Sequence, residues 1–413
     1  MNEEKREETM QSTETQVVRL QLNKKDLFLS FAAVFLSACI LSGAIPAAFV
    51  GLAAAALVVY AVIAVRNVGA IIQLLLSALI VTALTFLPVC GAAVLALTIG
   101  TGVLAWLFMI LPKYKWAPAG LLLIAYALGA LVTFDLVTPL LSLAFLPAAA
   151  LMAWAHARDL GRTATVLHAF LGFVLAVLAT LCVLLFRTYG AINYDVLMTF
   201  VNELKQIFVT VGVEAGKMLW ESLESAAAQA AIPAESLEQL REAYAQVFSE
   251  SNLRVTADTL MGLVPALVGV PALIISYLSG VVLLRKYYNT EWRRYMTPAA
   301  CTLDISPAAA VIYVICMVLV IFINQQSVFL MAVTNMFLLL LPALALTGVN
   351  VVLHNARRVR GGLGKASVWL LVAAVCCMGV SSLYFLALWG AYVIVSSALH
   401  QKIMQKMKDQ NEK

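Results

Sequence analysis

The sequence predicts an all-α polytopic transmembrane helix bundle of about 11–12 spans carrying an extracytoplasmic amphipathic helical insert. Three observations lead there. Of 413 residues, 63% are hydrophobic and 12% charged, against roughly half and a quarter in a soluble domain. The apolar residues gather into blocks that fit one or two helices of about 20 residues each. The scarce Lys and Arg sit in the breaks between blocks. These features exclude a disordered chain, a coiled coil and an ordinary soluble enzyme. The net charge of +5 is too small to imply a nucleic-acid partner; the expected partner is the lipid bilayer.

Residues 1–26 form a polar cytoplasmic tail, too long and too acidic for the n-region of a signal peptide. The N-terminal membrane region, 27–186, holds seven spans. Its first block, Leu27–Val65, is twice the length of one helix and divides at Ser42-Gly43 and Pro46. The second, Val68–Leu111, divides at Pro88, and the third, Trp116–Ala155, at Asp135 and Pro139. A seventh span runs from Ala164 to Phe186.

The acidic insert, 187–257, follows. Val196, Phe200, Leu204, Ile207 and Val211 recur near helical spacing, as do Leu237, Leu240, Tyr244 and Val247 after Pro233. The C-terminal membrane region, 258–400, supplies an eighth span to Leu284, a ninth over Ser306–Ile323 and a tenth to Val352. The last block, Ala366–Leu399, is either one long tilted helix or a short hairpin turning near Gly379–Ser382; the hairpin keeps the basic tail inside. A basic cytoplasmic tail, 401–413, ends the chain.

Cytoplasmic loops carry the excess Lys and Arg. With the N-terminus inside and twelve spans, 22 of the 27 Lys and Arg fall inside, including Lys286 in the Arg285–Arg294 cluster. The other five lie in the insert beside nine acidic residues, a net charge of 5 − 9 = −4 that suits the outside. The expected location is the bacterial cytoplasmic membrane with both termini cytoplasmic. Small residues at helix-packing spacing, Gly51 with Ala55 and Ala44 with Ala48, point to close helix contacts.

Polar groups at membrane depth are costly and mark candidate sites. Asn335 lies mid-span in the tenth helix, placed for an interhelical hydrogen bond or a ligand. Asp135, before Pro139, is placed to cap the next helix or to contact a cation or substrate. Asp258 and Asp304 read as helix starts, and Ser306-Pro307 as an N-cap followed by proline. His168 lies one turn into the seventh span, as a packing group or a proton relay. Asn350 and His354 stand near the inner end of the tenth, most simply as interface residues. No catalytic constellation is visible. Gly361-Gly362-Leu363-Gly364-Lys365 lacks the first glycine and the Ser or Thr of a phosphate loop. The seven Cys form no Cys-x-x-Cys pair and have no His at ligand spacing. No metal or cofactor is therefore expected.

Three stretches carry a resemblance. They are Leu260–Pro265 with the span ending at Leu284-Arg285-Lys286, Glu291-Trp292 through Met296–Pro298, and Leu346–Asn350 with the basic loop and terminal hairpin. Through them the region from about 164 to 401 resembles the YybS-like family of bacterial polytopic membrane proteins, a family of no assigned activity. The six-span N-terminal part of that family is similar in fold to substrate-binding subunits of energy-coupling-factor vitamin importers, which are about half this length and lack the insert. The resemblance implies a transport-related, small-molecule-binding membrane protein. The insert leaves open a scaffold or envelope-assembly protein that binds an extracytoplasmic partner through 187–257.

Overall fold

Proline and glycine set the helix boundaries. The computed structural model describes residues 24–66, 68–85, 87–111, 113–114, 116–229, 234–289, 303, 305–323, 327–358 and 381–411. Helix α1 (Lys24–Leu41) ends before Gly43, whose φ of 72° turns the chain. Helix α2 (Ala47–Val65) starts after Pro46, and α3 (Val68–Thr85) gives way to α4 (Pro88–Ile110) at the expected proline. Helix α5 (Trp116–Thr133), a 3-10 turn (Thr138–Leu143) and α6 (Phe145–Ala157) divide the third block at Asp135. Helix α7 (Arg162–Tyr189) ends on Gly190 in the left-handed conformation that glycine adopts without strain. The insert forms α8 (Tyr194–Gln229), α9 (Ala234–Val247) and α10 (Glu250–Gly262).

Helix α11 (Val264–Asn289) begins six residues later than the sequence reading placed the eighth span. Asp258 is therefore no helix start. It lies inside α10, which is capped at its N-terminus by Ser249, whose side chain accepts from Asn252 N–H. Helix α12 (Pro307–Phe322) has the expected cap, Ser306 Oγ accepting from Ala309 N–H at 3.2 Å. Helices α13 (Val328–Arg358) and α14 (Ser381–Asn411) complete the fold. Helix α14 continues through most of the basic tail. The first half of the last apolar block, with the turn expected near Gly379, the 324–326 turn, Asp304 and the Glu291–Pro298 stretch lie outside the described residues.

All regular structure among the described residues is helical. Nine helical stretches there are long and apolar enough to cross a membrane; α12 and the Ile71–Ala83 part of α3 are apolar but shorter. The chain is an all-α, multi-pass membrane protein. One of the nine, Tyr194–Ala227 of α8, falls where the sequence predicts the insert. Its first half carries only Asp195, Glu203 and Lys205, so length and apolarity alone make it a span candidate.

The helices divide into two compact units. One holds the chain through Asp159 with the second half of α11, from Tyr277. The other holds Leu160–Ser276 and the chain after residue 299. Helix α7 thus groups with the C-terminal helices, and α1–α6 remain in the N-terminal unit beside the second half of α11. That unit is built around α4, which packs on α1, α2, α3 and α6. Its core includes Val34, Leu57, Ile99, Val103, Leu104, Trp106, Phe145 and Met152, all fully buried.

In the C-terminal unit α12, α13 and α14 pack together through Tyr313, Phe337, Leu344 and Ala387. Tyr313 stacks on Phe337 at 5.0 Å and Phe337 on Tyr384 at 5.7 Å. Pro271 lies inside α11 and Pro342 inside α13. Gly269 and Leu339 meet between these two helices. The insert has its own small core of Val209, Leu253 and Ala257. A Lys205–Asp258 ion pair of 2.7 Å and stacking of Tyr244 on Phe248 add to it.

Candidate functional site

Lys286 is the one charged side chain that is buried among the described residues, at 2% exposure. The sequence reading counted it with the cytoplasmic loop cluster, but α11 continues three residues past it and turns it into the N-terminal unit. A buried ammonium requires a partner and hydrogen bonds. Its Nζ lies 2.9 Å from Asp26 Oδ1, in the first turn of α1. It also stands over two aromatic faces, 4.2 Å from the Trp106 ring centroid and 5.3 Å from that of Tyr60. Ser30 completes the cluster: its Oγ donates to the Asp26 carbonyl at 2.6 Å and lies 3.1 Å from Tyr60 Oη. Asp26 is 40% exposed, so the pair is enclosed on the lysine side and open on the carboxylate side.

A polar strip leads inward from this cluster. Thr98, Gly102 and Trp106 recur every four residues and form one face of α4. Ser279, Val282 and Lys286 recur at three and four on α11. The two faces meet: a Cβ on Gly102 would collide with the Ser279 carbonyl and with Val282, so only glycine admits this approach. On another side of α4, Gly100 leaves room for Ser37 of α1. Ser37 Oγ, Thr98 Oγ1, Thr101 Oγ1, Ser279 Oγ and Trp106 Nε1 are all buried without a hydrogen-bond partner among the described residues. Each such group costs about 1–3 kcal/mol, and buried polar groups in proteins are ordinarily satisfied. The strip is therefore equipped to take hydrogen bonds from something that enters it.

The residues singled out in the sequence sit elsewhere. Asn335 joins three helices of the C-terminal unit. Its Oδ1 accepts from Ala266 N–H at 2.9 Å, at the open start of α11. Its Nδ2 donates to Gly262 O at 2.8 Å, at the end of α10, and to Met331 O at 2.9 Å within α13. Both amide hydrogens are committed, so Asn335 splices the α10–α11 joint and has no donor left for a ligand. Asp135 acts as a cap: its carboxylate accepts from Val137 N–H at 3.2 Å, Thr138 N–H at 3.0 Å and Thr138 Oγ1 at 2.6 Å, at the 3-10 turn. His168 Nδ1 is 2.7 Å from Ala164 O, one turn back along α7. Asn350 is half-buried near the end of α13, and the side chain of His354 lies outside the described residues. Asp135 belongs to the N-terminal unit, and Asn335, His168 and Asn350 to the C-terminal one.

Apolar crevices open on the N-terminal unit. One of about 510 Å³ lies among Phe108, Met109, Trp116, Ala150 and Trp154; another, of about 280 Å³, lies among Val50, Gly51, Leu75, Leu79, Val89 and Leu95. Their apolar walls suit acyl chains. Arg158 lies 4.5 Å over the Trp154 ring at the rim of the larger. Among the described residues no three His, Cys, Asp or Glu side chains gather as metal ligands. Lys286 and Asp26 were missed because 260 residues separate them. The one local signal was that the Lys, though in a basic cluster, is flanked by an apolar run before it and Tyr287-Tyr288 after it. No family model, curated protein or solved structure matches the chain.

Proposed function

We propose that the protein binds a small molecule in the bacterial cytoplasmic membrane as part of its transport, with both termini inside. The observation that carries this reading is the pair of unpartnered buried hydroxyls, Thr98 of α4 and Ser279 of α11, on the strip that ends at Lys286. Uncharged polar groups lining a span interface are what a substrate path through hydrocarbon requires. The three stretches that resemble the YybS-like family, and the importer subunits to which that family is similar in fold, support the same function.

The orientation rests on charge and on helix direction. Gly102 lies beside Ser279 and Trp106 beside Lys286, so α4 and this part of α11 run parallel. If α5, the 3-10–α6 stretch and α7 each cross once, this course fits an α8–α10 segment that begins and ends on one side. Thirteen-residue α10 is too short to cross back, which supports an acidic insert on the outside.

Thermal unfolding of the purified protein against a metabolite panel tests the reading, because a ligand of the folded state raises Tm. The expected result is a hit that is lost in a Thr98→Val/Ser279→Ala variant. A panel with no hit, or hits indifferent to that variant, overturns it.

One observation favours a scaffold as the second reading. Helix α8 packs Val209 on α10 while Ile207, Val211 and Met218 on its other face are more than half exposed. Deleting 193–252 would then abolish partner pull-down and leave membrane insertion intact.

A further inference from the structure

The cluster around Lys286 has the parts of a receptor for an organic cation. A carboxylate and the faces of a tryptophan and a tyrosine surround one ammonium group. Aromatic faces attract cations through the ring quadrupole, and cages of this kind recognise alkylammonium ligands. Here the cation is the protein's own. We propose that the Asp26–Tyr60–Trp106 cage is a binding site for a mobile organic ammonium, and that Lys286 is a tethered occupant which the ligand displaces. The inference deepens the transport reading by naming a substrate class.

Three observations support exchange over a fixed ion pair. Asp26 is 40% exposed, so an incoming ammonium reaches the carboxylate before Lys286 has left. Lys286 is two residues from the last apolar residue of its run, Leu284, near the end of α11. Its aliphatic stem can swing the freed ammonium into water, as lysines near span ends do. Trp106 is fully buried and its Nε1–H has no acceptor among the described residues. Lys286 cannot satisfy it, since an ammonium has only donors. An amine that also carries an acceptor oxygen would satisfy cage and indole together.

The test uses the full-length protein in detergent, with propylammonium chloride as probe. Propanol plus sodium chloride at equal ionic strength is the control. In Lys286→Ala the cage loses its tethered cation, and propylammonium should restore most of the lost Tm where the control does not. In the wild type, propylammonium should raise Tm saturably, 3-aminopropanol should do so at lower concentration, and Asp26→Asn should abolish both effects. If Lys286→Ala does not fold, the wild-type and Asp26→Asn arms decide alone. Equal responses to probe and control overturn the proposal. So does rescue of Lys286→Ala with no wild-type response, which would make Lys286 a permanent occupant. Stabilisation by a neutral or anionic metabolite that survives Asp26→Asn overturns the cation site and leaves the transport reading standing. Saturable amine binding without amine flux in proteoliposomes does the reverse.

Discussion

Gly348 of α13 and Gly390 of α14 touch backbone to backbone. A Cβ on Gly348 would lie 3.3 Å from the Gly390 nitrogen, and one on Gly390 would lie 3.0 Å from the Gly348 nitrogen. Small residues allow such approach in membranes, where dispersion and close packing replace the hydrophobic drive between helices. Gly348→Val forces the helices apart, because the obstacle is the Leu386 carbonyl and not a movable side chain. We expect a loss of about 1–3 kcal/mol, read as a lower Tm in detergent. Gly51→Ala is the control: its Cβ meets nothing within 4 Å, so Tm should hold or rise.

Asn335→Leu removes the side chain that serves the end of α10 and the start of α11. It leaves the Ala266 N–H and the Gly262 carbonyl without that partner. Interhelical hydrogen bonds in membranes are worth about 0.6–2 kcal/mol, so the expected cost is about 1–2 kcal/mol. Accelerated proteolysis within 250–262 is the specific readout. Unchanged proteolysis there with a normal Tm would contradict the splice.

The two partners of the buried ion pair should behave unequally. Asp26→Asn leaves an ammonium at 2% exposure without its counter-charge, whereas Lys286→Met leaves a carboxylate that is already 40% exposed. Removing one partner of a buried pair is costly because of the charge left behind. Asp26→Asn should therefore lower Tm more than Lys286→Met, and the double variant should lie above Asp26→Asn. The reverse order would mean that Lys286 is solvated.

Topology is open to labelling. Ser222→Cys in α8 is exposed on the insert and should react with a membrane-impermeant maleimide added to intact cells. A reporter fused after Lys413 should respond only inside. Protection of position 222 would make α8 a membrane span.

Much of the fold is legible in the sequence, because hydrocarbon imposes helices and Pro88, Pro46, Asp135 and Ser306 punctuate them where the structure does. The small-residue signal misled at Gly51 and Ala55. Both are exposed, because small residues recur by composition in an alanine-rich chain and only some meet a backbone. The close contacts lie instead at Gly102, Gly348 and Gly390. The candidate site was the least legible part. Asn335 is polar within a span and Asp135 sits at a helix break, and the bonds of both are local or structural. Lys286 looked like one more loop charge, because its meaning depends on Asp26, Tyr60 and Trp106, which only the fold brings to it.

The two interior prolines have a mechanical consequence. Pro271 has no N–H to offer the Leu267 carbonyl, and Pro342 none for that of Leu338. Because Gly269 and Leu339 touch, both interruptions fall at one level of the C-terminal unit. Two neighbouring struts are notched at the same height. Bending of that unit will concentrate in a narrow waist while the stacked rings of Tyr313, Phe337 and Tyr384 stay together as a stiff block.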